Sequence, residues 1–323
     1  MSKSLTGGAE SPLAPELVDM ARRTKESGIP DLYDGCLTLP HGGEISRERG
    51  RNLRAFFYPK PELPAGRIEE LSIAGLSADV QIPVRIVWPH ESFCAKPLST
   101  LVYFHGGGFV LGDLDSHHMH AVRLANEAQC VVVNVDYRLA PEHQFPAAYN
   151  DCLAATQWAH KNIARLGGNA KRLAIGGDSA GGNFAAAVAL ACRDAGLSLA
   201  AQLLLYPATD LGKLGGAPEQ AYLGEDIAVR CQDWRASPAR AANHVDVAST
   251  ILGVGIHDFL YRDNVAYLEL LKKANVPTTY REFPTLNHGF FSYTAISKDS
   301  LAAAQLLCQD LKAHFDKTDA KAV

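Results

Sequence analysis

"IGGDSAGGN", Ile175 to Asn183, sets one serine among four glycines directly after the apolar run "RLAIG" at 172–176. The fold turns on how this stretch is read. In a dinucleotide-binding unit, G-x-G-x-x-G follows the first strand of a βαβ unit. "GGDSAGG" fits that spacing poorly and comes after about the fifth strand-like run. A purely structural glycine turn is a second reading. In the third, Gly177-Asp178-Ser179-Ala180-Gly181 is a G-x-S-x-G whose serine occupies a strained strand-to-helix turn, with small neighbours that let strand and helix approach. The Ala-rich run after it supplies the helix, whose first N–H groups face any developing negative charge. The motif alone leaves these readings open.

Outward from it, apolar β-rich runs recur at "STLVYF" (99–104), "CVVVNVD" (130–136), "AQLLLY" (201–206), "STILGV" (249–254) and "TTYREF" (278–283). Helical patterns lie between them at 118–128, 147–164, 180–195 and 262–275, and a last one fills roughly 298–316. Strands alternating with helices predict a mostly parallel sheet covered on both faces. Upstream, Val80, Ile82, Val84, Ile86 and Trp88 alternate along one strand, with Pro83 placing it near an edge. With "RIEELSIAG" before it, an antiparallel opening pair brings the sheet to about eight strands. In "SPLAPELVDMARRTKES", Leu17, Val18 and Met20 form a loosely amphipathic helix. The glycine-rich stretch 211–241 is too long for an ordinary connection and is expected to act as a lid.

A net charge of -4, with 20% charged residues, gives no reason to expect nucleic acid or an anionic membrane as partner. No signal peptide or spanning run stands out, so a soluble cytoplasmic protein is expected. Seven scattered cysteines without CxxC spacing fit a reducing compartment and no zinc site.

A second glycine stretch, "YFHGGGFVLGD" (103–113), follows the strand at 99–104 and offers bare N–H groups to an oxyanion. His105 there is read as fixing the loop by hydrogen bonds, because a base must reach the serine itself. A serine hydroxyl needs a base, and the base an orienting acid, from loops after later strands. Of the four later histidines, His314 lies in the last helix and His244 in a polar stretch, whereas His288 sits in the loop "FPTLNHGFF". His257 lies beside Asp258, the acid favoured from "STILGVGIHDFLYRDN". Its rival Asp263 falls where an acid caps a helix. In "SHHMH", Ser116 is expected to cap a helix. His117 and His120 share a face, but no acidic partner for a metal is evident in sequence, so no metal and no cofactor are expected.

With these residues in place, the chain resembles the hormone-sensitive-lipase-like esterases of the α/β-hydrolase fold. The resemblance rests on "HGGGFVLGD", "DYRLAPEHQFPAAYND" (136–151), "GGDSAGGN", "YPATD" (206–210) and "NHGF" (287–290), in that order, and spans about 70–316. It implies an α/β-hydrolase fold and a serine carboxylesterase acting on short-chain acyl esters, with "GDSAG" marking the branch. Ser179, Asp258 and His288 take the catalytic positions, and the N–H groups of Gly107, Gly108 and Ala180 take the oxyanion hole. It also implies cap helices within 1–50, a catalytic domain over 51–323 and a cap insertion near 211–241. The chain departs from the family in carrying "DFL" where D-P-L is usual, "VAS" (247–249) in place of a proline pair, and a short insertion. An amidase or deacylase using the same triad is an alternative. Non-catalytic receptors of this fold lack the histidine that His288 supplies here. The strand at 278–283 would offer an edge for a homodimer.

Overall fold

A computed structural model of the chain describes residues 11–57, 63–90 and 98–320, apart from positions 34, 40 and 78. Cys94 and the first ten residues, on which the expectations of a reducing compartment and of no signal peptide partly rest, lie outside this range.

The strands are β1 (Ile68–Ala74), β2 (Gln81–Val87), β3 (Leu98–Phe104), β4 (Cys130–Val135), β5 (Gly168–Asp178), β6 (Gln202–Leu205), β7 (Thr250–Gly255) and β8 (Thr278–Phe283). They form one sheet in the order β1-β2-β4-β3-β5-β6-β7-β8. β1 pairs antiparallel with β2, and β2 with β4; from β4 to β8 every pairing is parallel. Pro83 lacks an N–H to donate, and it sits just outside the β2–β4 register, which starts at Val84 opposite Val135.

Parallel strands need helical crossovers, and these cover both faces. Alternate residues of each strand enter different cores. Val102 and Phe104 of β3 join Val131, Val133 and Val135 of β4 on one side. Leu101 and Tyr103 join Cys130 and Val132 on the other. The first face is covered by α4 (Ala147–Asn162), α5 (Ala180–Asp194) and α8 (Tyr261–Lys273), and the second by α3 (His118–Ala128) and α9 (Lys298–Ala320).

Two regions lie outside this frame. In α1 (Pro15–Glu26), Leu17 and Met20 are buried, but Val18 is 52% exposed, so the apolar stripe is narrower than the sequence reading made it. α2 (Gly42–Phe57) follows, and its Arg47 pairs with Glu142 at 2.7 Å. The 211–241 stretch folds into α6 (Ala217–Leu223), α7 (Ile227–Arg230) and short 3-10 turns. Among the described residues no helix is long and apolar enough to cross a membrane, and six cysteines are free and buried.

Candidate active site

In the parallel part of the sheet, the loops leaving the carboxyl ends of β3, β5, β7 and β8 carry the HGGG stretch, Ser179, Asp258 and His288. Crevices outside strand carboxyl ends are where such sheets bind ligands.

Ser179 links β5 to α5 with φ 54° and ψ -116°, a strained conformation for a residue with a side chain. The flanking glycines explain how the chain holds it there. A Cβ on Gly181 would run into the carbonyl of Phe104, and one on Gly177 into the backbone of Gly181. Strand and helix therefore touch backbone to backbone. The Ser179 N–H donates to Leu205 O at 2.9 Å, and its carbonyl accepts from Asn183 N at 3.0 Å.

His288 bridges two other elements. Its Nε2 lies 2.9 Å from Ser179 Oγ, and its Nδ1 lies 2.9 and 3.0 Å from the two oxygens of Asp258. Asp258 is buried, and its Oδ1 also accepts from Leu260 N at 2.7 Å. The rival acid meets other partners. Asp263, in the first turn of α8, accepts from the Thr209 N–H and hydroxyl at 2.6 and 2.8 Å, and burial pushes its carboxyl up. The remaining histidines sit elsewhere: His244 Nε2 lies 3.0 Å from Pro238 O, His257 Nε2 lies 2.9 Å from Ser11 O, and His314 is in α9.

The HGGG loop lies beside the serine turn because β3 and β5 are neighbours, with Phe104 opposite Gly177. Gly107, at φ 134°, adopts a conformation in which a side chain would be strained. The N–H groups of Gly107, Gly108 and Ala180 have no acceptor among the described residues. His105 is buried, with its Nδ1 2.9 Å from Gly106 O and its ring stacked on Tyr137 at 4.2 Å. The Tyr137 hydroxyl donates to His105 O at 2.6 Å. Burial holds the His105 imidazole down to about 3, a neutral ring that packs the loop.

Two expectations for "SHHMH" need correcting. His117, not Ser116, occupies the N-cap position of α3. Ser116 instead bonds reciprocally with Asp113, at 2.8 Å from Asp113 N and 2.6 Å to Asp113 Oδ1. An acidic partner also exists: Asp178 gathers with His117 and His120, all buried, with donor atoms within 4.8 Å of one another. Sequence could not reveal it, because β5 and α3 meet only across the fold. Asp178 Oδ1 accepts from the Tyr103 hydroxyl at 2.6 Å and the Gly106 N–H at 2.9 Å, while Oδ2 lies 3.6 Å from His117 Nε2. Burial opposes its ionisation, but His117, His120 and Tyr103 together hold the carboxyl well below the usual range. The residue before Ser179 thus ties the serine turn to the HGGG loop. The sequence reading also missed the rings beside His288, those of buried Tyr206 at 5.0 Å and exposed Phe259 at 4.5 Å.

A family model described as the alpha/beta hydrolase fold matches residues 101–292. The chain is 36% identical to carboxylesterase NlhH of Mycobacterium tuberculosis over 285 residues, covering 82% of this chain and 88% of that protein. It is 39% identical to human hormone-sensitive lipase over 126 residues, 39% of this chain and 12% of that one. Among solved structures, an α/β-hydrolase enzyme from the metagenome of Lake Arreo, Spain, is 34% identical with a TM-score of 0.83, covering 94% of this chain and 99% of that chain. By sheet order, serine turn and relatives alike, the chain belongs to the α/β-hydrolase fold family, among its hormone-sensitive-lipase-like members.

Proposed function

We infer that the protein is a serine carboxylesterase that cleaves short-chain esters through an acyl-enzyme. The observation that carries this reading is the continuous chain from Asp258 through His288 to Ser179 Oγ. His288 Nε2 takes the serine proton as Oγ attacks the ester carbonyl. Asp258, on Nδ1, holds the imidazole tautomer and stabilises the imidazolium that forms. The N–H groups of Gly107, Gly108 and Ala180 receive the oxyanion; removing one such donor costs roughly 100- to 1,000-fold in kcat. His288 then protonates the departing alcohol, and water, deprotonated by the same imidazole, releases the acid.

The helices within 1–50 and the 211–241 segment serve as a cap over this site. The Tyr33 hydroxyl lies 3.4 Å from Gly107 O, and Pro218 of α6 would contact a Cβ placed on Gly108. Tyr222 of α6 stacks on Phe109, just past the HGGG loop, at 4.4 Å. The test is hydrolysis of p-nitrophenyl acetate by the purified protein and by Ser179→Ala. Turnover by the first and none above background by the second is expected, and equal turnover by both would refute the reading.

A further inference from the structure

We propose that Phe259 forms an aromatic wall of the alcohol subsite and biases the enzyme toward esters of aromatic alcohols; this rests on the ester-hydrolysis reading above. Phe259 is 74% exposed although its neighbours Asp258 and Leu260 are buried. Its backbone is pinned on both sides. Asp258 N donates to Gly255 O at 3.1 Å, Leu260 N to Asp258 Oδ1 at 2.7 Å and Tyr261 N to Asp258 O at 3.0 Å. A single exposed apolar side chain is ordinary on a protein surface. This one lies against the imidazole, its ring centre 4.5 Å from that of His288 with planes tilted by 44°. The His288 side chain itself is 24% exposed.

The chemistry decides which half of the substrate meets this ring. When the tetrahedral adduct collapses, the bond from carbonyl carbon to alkoxy oxygen breaks. The proton on His288 Nε2 passes to that oxygen as the alcohol departs. The alcohol fragment must therefore lie against His288, while the acyl fragment stays on Ser179 Oγ with its oxygen toward Gly107, Gly108 and Ala180. A ring held beside the imidazole borders the alcohol. Aromatic pairs favour offset or edge-on contact with ring centres about 4.5–7 Å apart. A benzyl or phenyl alcohol reaches that geometry, whereas an ethyl group offers little surface for it.

The experiment compares kcat/KM for ethyl acetate, benzyl acetate and ethyl phenylacetate in the wild type, Phe259→Ala and Phe259→Tyr. In Phe259→Ala the ratio of benzyl acetate to ethyl acetate is expected to fall roughly 3- to 10-fold, as loss of one aromatic contact implies, chiefly through KM. The ratio of ethyl phenylacetate to ethyl acetate should hold within about 2-fold. Phe259→Tyr, which keeps the ring, should preserve both ratios. An equal fall for all three esters in kcat would mean that Phe259 merely orients His288, and would overturn the proposal. So would a loss confined to ethyl phenylacetate, which would place the ring on the acyl side. Absence of any Ser179-dependent turnover in the wild type would instead overturn the esterase reading, and the proposal with it.

Discussion

Asp258 and Asp263 lie close in the chain, yet their surroundings assign them different work. Asp258 faces His288 Nδ1, whereas Asp263 receives two hydrogen bonds from Thr209. Asp258→Asn should leave the fold intact but disfavour the required tautomer, lowering kcat by about 10⁴-fold. Asp263→Asn should cost about 1–2 kcal/mol of stability, through a weakened buried hydrogen-bond pair, and change kcat by only several-fold. Esterase assays beside urea unfolding curves separate the two effects; a larger kcat loss in Asp263→Asn would reverse the assignment of the acid. The meeting of Ser179, Asp258 and His288 was legible in sequence, because each follows its own apolar β-run. The bracing role of Asp178 was not, since its partners Tyr103, Gly106 and His117 come from distant segments.

At the scale of elements, period-2 or continuous apolar runs marked β2 to β7, because burial on one or both faces imposes those patterns. The outermost strands β1 and β8 are mostly exposed or half-exposed and carry weaker patterns. The 211–241 segment was far less legible. Its short helices are stabilised by contacts with the rest of the chain rather than by their own periodicity. Tyr222 of α6 is the main anchor: fully buried, it stacks on Phe109 and meets Phe145 and Phe184 edge-on. The conspicuous "DYRLAPEHQFPAAYND" block serves the same docking. Its ends are clamped by Arg138 on Asp151 at 2.8 Å, and its Phe145 N–H donates to Tyr222 O at 2.8 Å. Tyr222→Ala should destabilise the protein by about 3–5 kcal/mol. The Tyr222 hydroxyl, however, is buried without a hydrogen-bond partner among the described residues. Tyr222→Phe removes that desolvated group and should stabilise by about 1 kcal/mol, visible as a thermal midpoint raised by about 2 °C. A lowered midpoint in Tyr222→Phe would show that the hydroxyl is bonded after all.

For the whole molecule, the balance of buried titratable groups governs how the fold meets acid. His105 is held down to about 3, first by burial and then by His117. In the unfolded chain it takes a proton near 6.5. Below that pH the unfolded state binds a proton that the folded state refuses. Stability therefore falls with acidification, by up to about 1.4 kcal/mol per pH unit. Asp136 acts in the opposite sense. Burial, reinforced by Asp113 and opposed by Arg85, raises its carboxyl to about 6, against about 3.9 when unfolded. Between those values the folded state holds the extra proton, so acidification favours folding there. Over roughly pH 4–6 the two contributions nearly cancel. Asp136→Asn removes the second and leaves the first unopposed. Other titrating groups, including Asp178 with its lowered carboxyl, are common to both proteins and drop out of the difference. Relative to wild type, Asp136→Asn should thus lose about 2 kcal/mol between pH 6 and pH 4, whatever its stability at neutral pH. Urea unfolding of both proteins across that range reads the difference directly, and parallel pH dependences would show that Asp136 titrates as it does in the unfolded chain.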